Sequence, residues 1–362
     1  MNIRKPTLLL DEEKCRENIR KMILKAKKHG VDFRPHFKTH QSLEIGRWFN
    51  EMGTDKIAVS SLEMAEYFSK EWNDITVAFP VNILEIETIN ELASKIKLNL
   101  LIESEESLTF LKENLFSKVG YFIKIDLGNH RTGIDPADTD SIEKILKISD
   151  NSDRIEFKGF LGHAGHTYHC ISKEEIIKVH NSSLDVMKNL KGKYISRYSE
   201  LIISTGDTPG CSISDNFSGS DEIRPGNFVF YDLMQLRIGS NTEVQIAVAM
   251  ACPIVSIHKE RNEFVIYGGG VHFSKDRSEN EKEGVIYGRV VEKKDHGWGK
   301  IIPEMYVKSL SQEHGIVSVP ENEISKYAIG DILLILPVHS CMTADCMKGY
   351  LTLDNREILM MR

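Results

Sequence analysis

Apolar residues recur in two alternating patterns along the first two thirds of the chain. Short runs rich in β-branched and aromatic residues are typical of buried strands, and segments with apolar residues every three or four positions follow them. We interpret eight of the short runs as strands: VDFRPHF, KIAVSS, DITVAFPV, KLNLLIES, GYFIKIDLG, FKGFLGHAG, ELIISTG and EIRPGNFVF. Most are separated by one amphipathic helix, and this alternation predicts a parallel sheet.

Eight such units fit a (β/α)8 TIM barrel, with a doubly wound open sheet as the structural alternative. After residue 240 the pattern changes to short β-like runs without a strong helix between them, including VQIAVAMACPIVSIHK, EGVIYGRVVE and DILLILPVHS. We therefore expect an α/β chain with a barrel domain at residues 11–240. Residues 1–10 and 241–362 are expected to form an all-β domain, in which the TLLL strand pairs.

Composition excludes several classes of partner. The chain has 362 residues, a formal net charge of −7 and a pI near 6.0, so we expect neither nucleic-acid nor membrane binding. The N-terminal apolar run is too short for a signal peptide, and the apolar stretch at 246–255 is too short for a membrane span. With six dispersed cysteines, a cytoplasmic protein with reduced thiols is the expectation.

Titratable residues crowd the end of the first predicted strand, in FRPHFKTH. A lone lysine is ordinarily a solvated surface charge. At a barrel strand end with apolar flanks, however, Lys38 would enter the mouth, where a free amine can form a Schiff base with a pyridoxal cofactor. On a regular strand His36 and His40 would share its face and position it, although His36 could equally be a packed structural residue.

Other strand ends carry further candidates. Arg131 in DLGNHRTG is either a surface ion-pair partner or a group that holds an anionic oxygen in the mouth. STGDTPG is either a tight turn or a phosphate cradle, because small residues let backbone amides approach an anion. Its candidate phosphate-binding residues are Ser204, Thr205, Gly206 and Thr208.

A third cluster lies in PVHSCMTADC, within the predicted β domain. In an extended segment His339 and Cys341 would point the same way, and one imidazole with one thiolate suits Zn²⁺. Two ligands do not make a site, so these residues alone favour a buried cysteine and a satisfied histidine. Asp345 and Cys346 could extend the coordination, and the sequence leaves their part open.

Taken in order, PTLLLDEEKCRENI, RPHFKTH, DLGNHRTG, GHAGHTYH, STGDTPG, RPGNFVFYD and PVHSC resemble the fold-type III pyridoxal-phosphate enzymes. The resemblance is to the D-serine dehydratase and D-threonine aldolase branch, related to the bacterial alanine racemases, and covers nearly the whole chain. It implies an N-terminal barrel with Lys38 as the Schiff-base lysine. It also implies roles for the following residues: Arg131 at the cofactor's phenolic oxygen, His163 against its pyridine ring, STGDTPG as phosphate loop and Tyr231 at the phosphate.

The resemblance further implies His166 and Tyr168 as catalytic residues on the substrate side, with Tyr168 also near the cofactor. His339 and Cys341 become the ligands of Zn²⁺ or another divalent metal, and a homodimer is implied. The family's dehydratases use His-x-Cys and its aldolases tend to use His-x-Asp. We therefore expect a D-serine dehydratase that forms pyruvate and ammonia, with D-threonine aldolase, an amino-acid racemase or a non-catalytic cofactor-binding protein as alternatives.

Overall fold

The computed structural model describes residues 2–150 and 152–362 of the chain, which divides into two compact units. The barrel unit comprises residues 21–226, and the β unit comprises residues 1–20 and 227–362. Both boundaries lie inside the barrel domain expected from the sequence. Asn18 Nδ2 donates to the carbonyl oxygens of Val229 (3.3 Å) and Gln245 (2.8 Å), and these contacts hold the neighbouring segments within the β unit.

The chain begins with β1 (Thr7–Leu10) and α1 (Glu12–Lys28). In the described part of the barrel unit, eight strands pair in parallel in the order β2-β9-β8-β7-β6-β5-β4-β3. They are β2 (Asp32–Phe33), β3 (Ile57–Val59), β4 (Asp74–Pro80), β5 (Lys97–Ile102), β6 (Val119–Ile125), β7 (Ile155–Gly162), β8 (Ile202–Thr205) and β9 (Glu222–Ile223). Each lies within one of the eight runs interpreted as strands or overlaps it, so the barrel prediction is confirmed.

Backbone hydrogen bonds close the ring between the two edge strands. The amide of Phe37 donates to the carbonyl oxygen of Ala58, and the amide of Ala58 donates to that of Pro35, both at 2.9 Å. His36 and Ala58 form the parallel bridge between them. The open-sheet alternative is therefore wrong. Closure brings the carboxyl ends of all eight strands to one rim, where side chains from distant parts of the sequence can meet.

Amphipathic helices follow the strands of the barrel unit. They are α2 (Leu43–Glu51), α3 (Leu62–Phe68), α4 (Ile86–Ala93), α5 (Glu105–Asn114), α6 (Thr139–Ser149), α7 (Lys173–Tyr194) and α8 (Thr208–Ile213). Several begin where a short polar side chain accepts a backbone amide of the first turn, which satisfies a donor that the helix leaves unpaired. These N-cap residues are Ser61, Ser104, Asp138, Ser172 and Asp207.

The β unit is built on a nine-stranded sheet in the order β11-β16-β15-β14-β17-β10-β1-β18-β19. Its strands after β1 are β10 (Val248–His258), β11 (Glu263–Tyr267), β14 (Gly288–Lys293), β15 (Trp298–Leu310), β16 (His314–Ser318), β17 (Ile332–Pro337), β18 (Gly349–Thr352) and β19 (Glu357–Leu359). A separate hairpin pairs β12 (Ser278–Asn280) with β13 (Gly284–Ile286). Leu8 lies opposite Met250 in the antiparallel β1–β10 pair, which confirms that TLLL pairs within the β domain.

Short helices interrupt this sheet: α9 (Leu233–Arg237), α10 (Gly270–Phe273), α11 (Glu321–Ile324) and α12 (Ser340–Met347). Single 3₁₀ turns occur at Ile83–Glu85, Gly165–His169, Asn227–Val229, Glu243–Gln245 and Lys259–Arg261. The longest of the four, α12, follows the last of the β-like runs named above, and its eight residues carry no clear apolar stripe that would have indicated it. Within the described ranges, no helix has the length and apolar character needed to cross a membrane.

Candidate active site

Lys38 lies in the turn that follows β2, directly beyond the bridge that closes the barrel. Its backbone amide donates to Nδ1 of His36 at 3.3 Å, and its carbonyl oxygen accepts from Gln41 Nε2 at 3.2 Å. The residue is exposed. Lys38 thus follows the carboxyl end of a barrel strand, which is the position that the sequence pattern indicated.

His40 does not share a face with Lys38. Residues 37–40 form a turn rather than a continued strand, and this turn directs His40 into the core. Its ring is fully buried, 4.4 Å from the ring of Phe37 and 5.7 Å from that of Phe49 between centroids. Burial lowers the pKa of His40 to about 3, and the amide of Ser42 donates to its Nδ1. The prediction that His40 flanks the lysine on a strand face is therefore wrong.

His36 and His163 form a neutral pair of imidazoles beside Lys38. Nδ1 of His163 lies 2.9 Å from the carbonyl oxygen of Gly206, and a carbonyl only accepts, so Nδ1 donates and Nε2 carries the lone pair. Burial lowers the pKa of His163 to about 3. Burial also lowers the pKa of His36 far below its ordinary value, and the charge of Lys38 contributes to both shifts. The lysine charge therefore lies close to both rings.

Two buried cations at this rim were missed by the sequence interpretation. Arg224 follows β9, and its guanidinium donates to Ser204 Oγ and to the carbonyl oxygen of Gly162 (2.7 Å). Lys124 near the end of β6 donates from Nζ to the carbonyl oxygen of Ile125 at 2.8 Å. Burial lowers the pKa of Arg224 to about 10 and that of Lys124 to about 8. For Lys124 the sequence signal was a charged residue inside an otherwise apolar strand, a signal that Arg224, which follows β9, does not share.

A chain of ionic contacts supports Arg224 from within the barrel. Glu222 accepts from Ser204 Oγ at 2.6 Å and from Arg34 Nε at 2.8 Å. Arg34 also donates from Nη1 to Asp74 Oδ1 at 2.6 Å. The Ser204 hydroxyl thus donates its one proton to Glu222 and has none left for a cofactor phosphate.

The turn after β8 retains backbone groups that an anion could use. Thr205 Oγ1 is 2.7 Å from Ser220 Oγ, so its hydroxyl, like that of Ser204, already has a protein partner. Gly206 has φ +121°, and a Cβ atom there would lie 2.6 Å from the amide nitrogen of Arg224. The amide of Thr208 points to Tyr168 Oη at 3.4 Å. Backbone amides therefore suit the predicted phosphate loop better than its first two hydroxyls do.

Asp207 ties this turn to the loop that carries the predicted substrate-side residues. Its Oδ1 accepts from the amide of Gly210 (2.7 Å) and from Thr167 Oγ1 (2.8 Å). Burial raises the pKa of Asp207 above its ordinary value. Thr167 lies between Tyr168 and His166, and Nδ1 of His166 is buried with no hydrogen-bond partner among the described residues. The structure thus brings both substrate-side candidates next to the phosphate loop.

The loop after β6 holds Arg131 at the surface of the rim. Asp126 Oδ1 accepts the amides of Gly128, Asn129 and His130 at 3.0 to 3.1 Å, which fixes the loop. Burial opposes ionisation of Asp126, but these amides lower the pKa of its carboxyl below the ordinary value. Arg131 itself is exposed, and its charge reaches Lys124 closely enough to lower that pKa. It remains a candidate for binding an anion.

A cavity of about 440 Å³ lies beyond the ends of β4 and β5, beside the Arg131 loop. Its lining residues are Pro80, Val81, Leu101, Glu103, Ser104, Ser107, Thr132 and Gly133. None of them is a predicted site residue. Its only charged lining group, Glu103, accepts the amide of Gly133 at 2.6 Å, so this cavity is not where the candidate chemistry collects.

The remaining candidates belong to the β unit. Tyr231 is buried there and has a positive φ of +50°. His339 is the N-cap of α12 and Cys341 lies in its first turn, so their proximity comes from a helix start and not from an extended segment. Nδ1 of His339 lies 2.5 Å from Asp276 Oδ2, while its ring also hydrogen-bonds Cys341. Burial opposes protonation, but Asp276 and Cys341 raise the pKa of His339 to about 11.

The imidazole of His339 and the thiol of Cys341 are therefore in contact. Nδ1 of the imidazole is engaged by the carboxylate of Asp276. Asn227 Nδ2 donates to Cys341 Sγ at 3.4 Å and to Asp232 Oδ2 at 2.7 Å. Asp345 Oδ1 accepts from Lys348 Nζ at 2.7 Å. Within residues 2–150 and 152–362, no group of three His, Cys, Asp or Glu side chains is arranged to hold a metal. A metal here would take two protein ligands and leave other positions open.

Comparisons with known families match both parts of the chain. Residues 10–233 match the family described as alanine racemase, N-terminal domain, and residues 247–353 match that described as putative serine dehydratase domain. D-serine dehydratase of Dictyostelium discoideum is 31% identical over 383 residues, which cover 98% of this chain and 94% of that protein.

Solved structures share the whole architecture. A metal-free variant of D-threo-3-hydroxyaspartate dehydratase, in which a cysteine is replaced by alanine, superposes with a TM-score of 0.91 at 22% identity, over 99% of this chain and 98% of that one. A variant of the same enzyme with a histidine replaced gives 0.90 at 23% identity, over 99% and 95%. D-threonine aldolase from Filomicrobium marinum gives 0.84 at 18% identity, over 99% and 95%. At these identities the likeness shows the fold.

Proposed function

Because this chain belongs to the D-serine dehydratase family built on an alanine racemase-like barrel, we propose that it is a pyridoxal-phosphate-dependent lyase of D-3-hydroxy amino acids. D-serine, converted to pyruvate and ammonia, is the proposed substrate. The observation that carries the proposal is the position of Lys38 at a barrel strand end, beside two imidazoles whose pKa values are lowered by burial.

The charge of the rim fits such a cofactor. Lys38, Lys124, Arg131 and Arg224 act on one another or on the same imidazoles, so four cations collect where a phosphate and a phenolate would bind. The neutral ring of His163 adds no positive charge and can pack against an aromatic ring. The bound cofactor would supply an electron sink for the substrate's α-carbon.

Residues of the chain would hold the cofactor, bind its phosphate and phenolic oxygen, and transfer the substrate's proton. Lys38 Nζ would hold the cofactor through its aldehyde carbon and, when released by substrate, take the α-proton. Arg131 would bind the phenolic oxygen, while Gly206, Thr208 and Tyr231 would contribute to phosphate binding, with the backbones of Ser204 and Thr205. His166 and Tyr168 would act on the substrate side.

A divalent metal, most simply Zn²⁺, is proposed to bind His339 and Cys341. The pair fits such an ion because Nδ1 of His339 is used by Asp276, which leaves Nε2 for the ligand side next to the thiol. In the similar hydroxyaspartate dehydratase, the substituted histidine and cysteine are two positions apart, as His339 and Cys341 are here, and the structure of the cysteine variant is of a metal-free form. The metal would supply a Lewis acid for departure of the substrate hydroxyl.

The product distinguishes this proposal from its alternatives. Purified holoenzyme is incubated with D-serine, D-threonine or D-threo-3-hydroxyaspartate, and keto acid, ammonia, glycine and L-enantiomer are quantified. We expect equal amounts of pyruvate and ammonia from D-serine and none from L-serine. Glycine and an aldehyde as the main products of D-threonine would instead assign the aldolase reaction. L-serine without keto acid would assign a racemase, and no product would favour a non-catalytic binding protein.

We also propose that the enzyme is a homodimer, as the family resemblance implies. Sedimentation equilibrium of the holoenzyme should give twice the mass of the 41.2 kDa chain. A monomer that turns over D-serine at full rate would contradict this part of the proposal.

A further inference from the structure

Asp276 makes a short contact with His339, one residue of the proposed metal pair. Oδ2 of the carboxylate lies 2.5 Å from Nδ1 of the imidazole. An ionised carboxylate only accepts, so Nδ1 carries the proton and donates it to this hydrogen bond. The other ring nitrogen, Nε2, is thereby left without a proton whenever the ring is neutral. The carboxylate therefore selects which nitrogen can bind a metal.

Asp276 reaches His339 from a segment with an unusual backbone. Ser274 has φ +68° and ψ −174°, a conformation that glycine adopts easily and other residues adopt only under constraint. The hydroxyl of Ser274 then accepts the amide of Asp276 at 3.2 Å. Such strain persists only where surrounding contacts over-determine it, and it occurs most often at functional sites.

Two contacts fasten this segment to α12, the helix that His339 caps. Thr343 Oγ1 donates to the carbonyl oxygen of Phe273 at 2.9 Å, and the backbone of Ser274 hydrogen-bonds Cys346. Cys346 thus holds the segment in place, and Asp345 is engaged by Lys348. These contacts explain the strain at Ser274, because the segment is held at the helix on one side and at the imidazole on the other.

We propose that Asp276 is a positioning residue for His339, an inference that rests on the proposed metal binding by His339 and Cys341. Asp276 fixes the tautomer and the orientation of the imidazole so that Nε2 faces the ion. Carboxylates that act on metal-bound histidines in this way typically strengthen metal binding 10- to 100-fold, roughly. Nothing in the sequence near PVHSC indicates this partner, which is 63 positions away.

Zinc affinity of the purified holoenzyme tests the proposal directly. Metal-depleted wild type, Asp276→Asn and Asp276→Ala are titrated with Zn²⁺ against a chromogenic chelator, and bound cofactor is followed by its absorbance. We expect Asp276→Ala to bind Zn²⁺ about 10- to 100-fold more weakly, with Asp276→Asn in between because its amide oxygen can still accept from Nδ1. Cofactor content should be unchanged in both variants.

Asp345→Asn is the matched control, since it removes a neighbouring carboxylate that lies on α12 and pairs with Lys348. It should leave Zn²⁺ affinity unchanged. Thr343→Val, which releases the segment without altering the carboxylate, should weaken Zn²⁺ binding less than Asp276→Ala does. Unaltered affinity in both Asp276 variants, or an equal loss in Asp345→Asn, would overturn the positioning role.

His339→Ala separates this inference from the proposed function. If His339→Ala abolishes Zn²⁺ binding while Asp276→Ala leaves it intact, only the role of Asp276 is wrong. If His339→Ala binds Zn²⁺ as tightly as wild type, the proposed metal site itself is wrong, and the inference is overturned with it. The side chain of Asp276 is 40% exposed, so its substitution should not unfold the β unit.

Discussion

His163 in the barrel unit and His339 in the β unit are prepared in opposite ways. Burial lowers the pKa of His163 to about 3, and neighbouring cations add to the effect. Asp276 and Cys341 overcome burial at His339 and raise its pKa to about 11. Burial and several neighbouring cations together favour the neutral form of the His163 ring. At His339, two partners, Asp276 and Cys341, favour the protonated form. Side chains from several strand ends therefore set the protonation of the imidazole in the barrel site. In the β unit, a contact between Asp276 and His339, which are 63 positions apart, contributes most directly.

The difference suits the two groups that the proposal assigns to the sites. A rim with buried cations and neutral imidazoles attracts an anionic cofactor. A carboxylate behind an imidazole, with a thiol beside it, instead attracts a metal cation. The experiments below test whether the two sites can be disrupted separately.

The largest expected effect is on turnover. Lys38→Ala should lower the rate with D-serine by at least about 10³-fold, because both the cofactor attachment and the base are lost. His339→Ala should lower it on the order of 10²-fold or more, since a Lewis acid supplies several kcal/mol. Steady-state assays measure both rates, and absorbance measures bound cofactor.

The two variants should differ in what they retain. His339→Ala should keep the cofactor on Lys38, and Lys38→Ala should keep the metal. Lys173→Ala, an exposed lysine on α7, serves as the control and should behave as wild type. Loss of cofactor in His339→Ala would show that the two sites are not separable.

Stability should depend strongly on the ionic chain inside the barrel. Glu222→Gln removes the carboxylate shared by Arg34 and Ser204, which leaves buried positive charge uncompensated. We expect the free energy of unfolding to fall by about 3 to 5 kcal/mol in urea denaturation. Glu91→Gln breaks an exposed ion pair with Lys95 and should have no measurable effect. Equal stability of Glu222→Gln and wild type would show that these charges are not structural.

Gly206 should tolerate substitution poorly. A Cβ atom there would lie 2.6 Å from the amide nitrogen of Arg224, and φ of +121° is unfavourable for alanine. Gly206→Ala should lower the free energy of unfolding by about 1 to 3 kcal/mol and weaken cofactor binding. Gly30→Ala is the control, because φ is also positive there but no atom lies within 4 Å. If both variants lose the same stability, the close approach at Gly206 is irrelevant.

The loss of stability at acid pH should depend on the histidines that are buried in their neutral form. The pKa of His40 is near 3 in the folded chain and about 6.5 when unfolded, so below pH 6.5 the unfolded state binds more protons. Stability is therefore lost as pH falls from about 6.5 to 3, by at most about 1.4 kcal/mol per unit for each such group. The free energy of unfolding of His40→Gln, measured by urea denaturation, should fall less steeply with decreasing pH than that of wild type. An identical slope would contradict this account.

His339 should act with the opposite sign in metal-depleted protein. Its folded-state pKa is raised, so its contribution to stability is present below pH 6.5 and is lost as pH rises toward about 11. His339→Gln should therefore lose less free energy of unfolding than wild type as pH rises. Its loss of stability at acid pH, which comes from the buried histidines, should be unchanged.

The barrel could be predicted because its strands and helices have different apolar periods and eight such units fit a barrel. The pattern did not exclude an open sheet, which only the hydrogen bonds between the edge strands rule out. The strand-end position of Lys38 followed from the same pattern. The sequence could not show that residues 37–40 turn, which directs His40 into the core and leaves Lys38 exposed. Nor could it show that Arg224 and Lys124 are buried, because charged side chains are ordinarily expected to face solvent. Asp276 was missed because its contact with His339 joins distant segments.

Attachment of the cofactor to Lys38 is the central claim. Borohydride reduction of the purified holoenzyme, followed by proteolysis and mass spectrometry, identifies the modified residue. We expect one peptide, containing FRPHFKTH, to carry the reduced pyridoxyl group on Lys38, and reduction to abolish turnover of D-serine. A modification on any other lysine, or an unmodified Lys38 in active enzyme, would contradict the account.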